Sequence, residues 1–83
     1  MYCTYILISE KSGRFYVGHS NNLEERLTTH NTGKVKSTRN KGPWKCLYFE
    51  KYDTKLEANR RELHIKKQKS KKYIEDLINI TRK

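Results

Sequence analysis

The chain has 83 residues, with Lys+Arg 19 against Asp+Glu 9 and a formal net charge of +10 at pH 7. That length suits one domain over residues 1–83, burying only roughly 60–65% of the surface it exposes when unfolded. Hydrophobic residues make up 34%, but they fall in periodic runs that exclude a disordered polyelectrolyte, and none is long enough for a membrane-spanning helix.

Tyr2 to Ser9, rich in Tyr, Ile, Leu and Thr, predicts a strand. Glu10-Lys11-Ser12-Gly13 predicts a turn in which Gly13 is free to take positive φ. Arg14 to Gly18 predicts a second short strand, so the first two form a hairpin. Asn21 or Asn22 caps a helix of about Leu23 to Asn31, with Glu24 or Glu25 placed for a capping box, and the helix ends before Gly33. Thr32 to Lys45 has no apolar periodicity and no acid; it holds Lys34, Lys36, Arg39, Lys41 and Lys45 with Gly42 and Pro43, and predicts a basic loop. Trp44 to Tyr52 predicts the third strand. Thr54 and Glu57 then form a capping box opening a helix to about Lys69. Ser70 caps a final helix on which Tyr73, Leu77 and Ile80 share a face, with Ile74 and Ile78 beside it. The order β-β-α-β-α-α implies an α+β fold, a small three-stranded antiparallel sheet flanked by helices.

The excess of positive charge favours a polyanion partner, and nucleic acid is the commonest. A basic helix with a continuous hydrophobic face is missing, so an anionic membrane is disfavoured. Cys3 and Cys46 belong to no zinc-ligand spacing. The first residues lack the layout of a signal peptide, so a cytoplasmic protein with reduced thiols is expected.

A tyrosine on a strand usually packs, which is the plain account of Tyr5 and Tyr16. Gly18 two residues on, and a helix carrying Arg26 soon after, suggest instead that two phenols and a guanidinium converge on a phosphate. At 100° per residue, Leu23, Leu27, Arg26 and His30 fall on one side of the first helix, so Arg26 and His30 are expected at the edge of its buried face. A guanidinium there offers a fork of donors suited to phosphate oxygens; the alternative is a snorkelling arginine paired to a carboxylate.

On the second helix, Ala58, Glu62 and Ile65 lie on one stripe and Leu56 and Leu63 nearly opposite, which predicts cover on two sides and a partly buried Glu62. A carboxylate so placed is paired or binds a metal. Arg61, Lys66 or Lys69 could pair with it; equally, it could be the carboxylate of a hard divalent cation that otherwise takes waters. Glu57 has its capping duty. His64 is expected exposed or packing, and Trp44 packing under the loop rather than stacking on a base. Lys66, Lys67, Lys69, Lys71 and Lys72 resemble a phosphate-tracking face with no base-reading element.

Tyr5, then Tyr16-Val17-Gly18, then Arg26 on the following helix, then Glu57-Ala58 with Glu62 and Ile65-Lys66, together resemble the GIY-YIG nuclease superfamily over nearly the whole chain. The likeness is to short standalone bacterial members similar to the nuclease half of the excision-repair incision enzyme. The resemblance implies an endonuclease hydrolysing phosphodiester bonds in structured or damaged DNA with Mg²⁺ or Mn²⁺. It implies that Tyr5 and Tyr16 are the motif tyrosines, that Gly18 lets the backbone approach the substrate, that Arg26 holds the scissile phosphate and that Glu62 binds the metal. His30 falls where members carry a tyrosine or histidine, and His19 where the excision-repair enzymes carry a lysine. Lys34, Lys36, Arg39, Lys41, Lys66 and Lys69 would then contact the nucleic-acid backbone, and a standalone domain would act on structured substrate or be directed by a partner protein. A free tyrosine has a pKa of about 10, so Tyr16 needs a cation nearby to act as a base, alone or in a relay through His19. The first tripeptide, Cys3-Thr4-Tyr5, keeps only its tyrosine. The alternative is a nucleic-acid-binding module with the same fold and little or no cleavage.

Overall fold

In the computed structural model, which describes residues 1–81, strand β1 (Tyr2–Ser9) is the middle of a three-stranded antiparallel sheet. Strand β2 (Phe15–Ser20) lies on one side of it and β3 (Trp44–Tyr52) on the other. Helix α1 (Leu23–Asn31) precedes β3, and α2 (Lys55–Lys67) and α3 (Lys71–Thr81) follow it, giving the order β-β-α-β-α-α.

Side chains of β1 alternate between two cores because successive residues of a strand point to opposite faces. Cys3, Tyr5 and Leu7 pack with Trp44, Leu23 and Leu27, under α1. Ile6 packs the other way, with Val17, Ile65 and Ile78 from β2, α2 and α3. Thr4, on that second face, donates its hydroxyl to the Ala58 carbonyl at 2.7 Å and ties α2 to the central strand. The caps follow the sequence: Asn22 accepts from the Glu25 amide at 3.1 Å, Thr54 from the Glu57 amide at 3.2 Å, and Ser70 from the Tyr73 amide at 3.1 Å.

Four boundaries or faces differ from expectation. β2 continues past Gly18, because His19 and Ser20 still pair with Thr4 and Cys3 of β1. α2 stops at Lys67, not Lys69, which takes a left-handed φ of 48° as the chain turns into α3. On α3 the buried residue is Ile78, while Ile80 is 69% exposed; two residues on, a helix has rotated by about 200°. Finally, α2 is covered on one side only. Leu56 and Leu63 are exposed, because α3 lays Tyr73, Ile74 and Leu77 against the sheet-side core.

Candidate functional site

β2 is a sheet edge, so side chains from its two faces can meet around it. Tyr16 and Gly18, opposite Leu7 and Tyr5, point to the α1 side; His19, opposite Thr4, points to the α2 side. Gly18 is where the two motif tyrosines come together. A Cβ there would stand 2.6 Å from the Tyr5 hydroxyl oxygen and 3.2 Å from Cε1 of Tyr16. The space beside this glycine is thus filled by the phenol of Tyr5.

Tyr5 is fully buried, and so is His30, which was expected at the edge. The last turn of α1 carries the imidazole inward, where the Tyr5 hydroxyl meets Nε2 at 3.1 Å and the Thr38 hydroxyl meets Nδ1 at 2.8 Å. The Tyr16 ring stands edge-on to His30, centroids 4.8 Å apart. Arg26, one turn earlier on α1, is half-buried, and its guanidinium acts on the Tyr5 hydroxyl, which is hydrogen-bonded to His30. Ion pairs among the described residues join His19 and Lys66 to Glu62 and Arg61 to Glu50, leaving Arg26 unpaired with a carboxylate.

These contacts set the protonation states. Burial pushes the Tyr5 phenol up to about 12, the Arg26 guanidinium opposing and the neighbouring Tyr16 and Glu62 adding to it. Burial, helped by the Arg26 charge, brings His30 down to about 4, so the imidazole is neutral. Tyr5 is therefore held in its protonated form at neutral pH, hydrogen-bonded to His30.

On the α2 side, His19 Nδ1 lies 2.6 Å from Oε1 of Glu62, and the Lys66 ammonium lies 2.7 Å from Oε2. Burial raises the Glu62 carboxyl, but the hydrogen bonds from Lys66 and His19 outweigh it and hold it below the usual carboxylate range. The Lys66 ammonium also sits 5.8 Å from the centre of the Tyr16 ring, so this pair and the tyrosine cluster are neighbours across the edge of β2. Among the described residues no group of three His, Cys, Asp or Glu is placed to hold a metal. An ionised carboxylate offers about four lone-pair sites and Glu62 uses one on each oxygen, so a hard cation needing one carboxylate and waters still fits.

A polar cleft of about 310 Å³ opens here, lined by Tyr2, His19, Ser20, Asn21, Arg26 and Lys55. Lys55 and Tyr2 carry no motif and were missed in the sequence. So was Thr38, a buried residue inside the basic loop. Around the loop, Lys34, Lys36 and Lys41 flank Thr38 in sequence, while Arg39 Nε is held by the Gly33 carbonyl at 2.9 Å. Trp44 is buried, its indole donating to the Thr38 carbonyl at 3.2 Å. His64 is exposed. Lys69 lies in the turn after α2, and Lys66 is engaged with Glu62.

Residues 1–74 match the family model of the GIY-YIG catalytic domain. A UPF0213 protein of Clostridium perfringens is 48% identical over 58 residues, which cover 69% of this chain and 62% of that protein. Another, from Bacillus licheniformis, is 42% identical over 76 residues, covering 87% of this chain and 78% of that protein. The solution NMR structure of a UPF0213 protein from Bacillus halodurans superposes with a TM-score of 0.59 at 30% identity, covering 96% of this chain and 85% of that one. No helix among the described residues is long and apolar enough to cross a membrane.

Proposed function

The chain belongs to the GIY-YIG catalytic-domain family, a family of nucleases, and from that premise we propose a divalent-metal-dependent endonuclease that hydrolyses phosphodiester bonds in structured or damaged DNA. The observation that carries the proposal is the convergence of Arg26, Tyr5, Tyr16 and Glu62 at one edge of the sheet. An arginine free of carboxylates and braced by a neutral phenol beside a cleft is arranged to grip a phosphate.

In this mechanism Arg26 binds two phosphate oxygens and neutralises the charge that builds on them during attack. Tyr5 and His30 orient that guanidinium from below. Tyr16 orients the attacking water, whose oxygen bonds to phosphorus as the bond to the leaving oxygen breaks. The water's proton passes to Tyr16 as the phenol gives its own proton up toward His19, whose Nε2 is left available when Nδ1 binds Glu62, and the leaving oxygen takes a proton from solvent. Glu62 would hold the Mg²⁺ or Mn²⁺, which supplies Lewis-acid stabilisation of the charge on the phosphate. Lys34, Lys36, Arg39 and Lys41, with Lys66 and Lys69, track the backbone; a partner protein directing the domain to its substrate completes the proposal.

Cleavage of labelled single-stranded, duplex and branched DNA and RNA, with Mg²⁺ or Mn²⁺, tests it. Arg26→Ala and Glu62→Gln should abolish cutting and keep binding. If wild type and both variants bind equally and none cuts any substrate, the enzyme reading fails. The second reading, a binding module, is favoured by one observation: both Glu62 oxygens are already held by His19 and Lys66.

A further inference from the structure

We infer that Thr38 is a positioning residue for this site: its hydroxyl selects the His30 tautomer that aims the Tyr5 oxygen at Arg26. Thr38 is 2% exposed although it lies in a loop of lysines. Its hydroxyl has one proton and two neighbours, the Val35 carbonyl at 3.4 Å and His30 Nδ1 at 2.8 Å. A carbonyl can only accept, so with the hydroxyl proton on Val35 the imidazole must donate from Nδ1. Nε2 then holds a lone pair, and the Tyr5 hydroxyl donates to it.

The far end of the chain leads to the same tautomer independently. The guanidinium of Arg26, a cation with donors and no acceptor that acts on the Tyr5 phenol, favours a lone pair of the Tyr5 oxygen on its side. Were Nε2 protonated, it would donate to that oxygen, and the phenol proton would lose the acceptor that His30 otherwise offers it. Thr38 would at the same time lose Val35. One proton on Nδ1 satisfies every member, and the run reads Tyr5 to His30 to Thr38 to Val35, each donating to the next, with Arg26 beside its first oxygen. None of the buried side-chain polar atoms among the described residues lacks a partner.

The loop backbone does not depend on this hydroxyl. The Thr38 amide donates to the Val35 carbonyl at 3.1 Å, and its own carbonyl accepts from the Lys41 amide and the Trp44 indole, each at 3.2 Å. Thr38→Val should therefore preserve the loop while removing the acceptor for Nδ1. The segment proposed to meet the nucleic-acid backbone is in this way joined, by one hydroxyl, to the group that orients the phosphate-binding arginine.

The consequence for cleavage rests on the nuclease reading; the tautomer does not. The test is a two-bond ¹H–¹⁵N correlation spectrum of the imidazoles in ¹⁵N-labelled protein at pH 7, with binding and cleavage measured alongside. His30 should show the Nδ1–H pattern in wild type and in Thr38→Ser. Thr38→Val should lose it, with nucleic-acid affinity kept and cleavage lowered by up to ~100-fold, the scale of a small misplacement at a reacting centre. An Nε2–H pattern in wild type overturns the inference, and so does a Thr38→Val protein with wild-type His30 signals. If wild type cuts nothing, the nuclease reading fails while the spectrum still decides the tautomer.

Discussion

At Gly18 a single missing methyl group decides whether the site can assemble. A Cβ would lie 2.6 Å from the Tyr5 oxygen and 2.7 Å from its Cζ. A phenol end on the surface could swing away, but this one is fixed between Arg26 and His30 and is 1% exposed. Gly18→Ala should therefore cost about 1–3 kcal/mol in urea unfolding, the usual scale for overpacking, and reduce cleavage more than nucleic-acid affinity. A variant with wild-type stability would mean that the phenol moves freely. His30 makes a second prediction. Its imidazole, faced by Arg26, Tyr5, Tyr16 and Thr38, takes up a proton near 4 in the folded state against 6.5 ordinarily. Between those values the unfolded chain binds more protons, so stability falls as the pH falls from 6.5 toward 4, by up to about 3 kcal/mol. Urea titrations at pH 7 and pH 5 should show that loss in wild type and a smaller one in His30→Gln.

Between elements, polar contacts do work that apolar burial cannot do in so small a core. Glu50 of β3 accepts from Tyr48, from Tyr52 at 2.6 Å and from Arg61 of α2 at 2.9 Å and 3.2 Å. Arg61 also reaches the Tyr73 hydroxyl of α3 at 3.4 Å, so one guanidinium joins three elements. Burial raises the Glu50 carboxyl, yet these donors hold it below its usual range. Removing the guanidinium leaves a part-buried carboxylate with two phenols. Arg61→Ala should lower unfolding stability by about 1–2 kcal/mol, the cost being moderated because both partners keep some contact with water; an unchanged urea midpoint would count against it. This pairing also explains what the sequence could and could not convey. The six elements are legible because alternation, caps at Asn22, Thr54 and Ser70, and Gly13 and Gly33 at turns are local signals. Arg61 stands one residue before Glu62 and was a candidate partner for it; its actual choice of Glu50 depends on how α2 lies across β3, which no local pattern encodes. Leu56 and Leu63 misled for the same reason, since helical spacing does not say whether a second layer arrives. Thr38 left no trace at all, because a buried threonine among lysines has neither period nor hydropathy to mark it.

For the whole molecule, a charge of +10 on 83 residues predicts binding whether or not the chain cuts, so affinity alone carries little information. Its dependence on salt carries more. Each phosphate neutralised by a cation releases counterions, and log K falls against log salt with a slope of about -0.9 per contact on duplex DNA and about -0.7 on single strands. If Lys34, Lys36 and Lys41 meet the backbone, replacing them together with Gln should flatten the slope by roughly 2–3 for every sequence tested, because phosphate contacts read no bases. Arg26→Ala should flatten it by only about one contact, yet remove cleavage entirely. Glu62→Gln takes away an anion beside the cleft and should leave the slope unchanged while also ending cleavage. Binding curves from 50 to 200 mM salt on duplex and single-stranded DNA measure all three. Equal flattening by Arg26→Ala and by the triple lysine variant would place Arg26 among the general backbone contacts, and the distinction between a gripping loop and a phosphate-orienting arginine would fall.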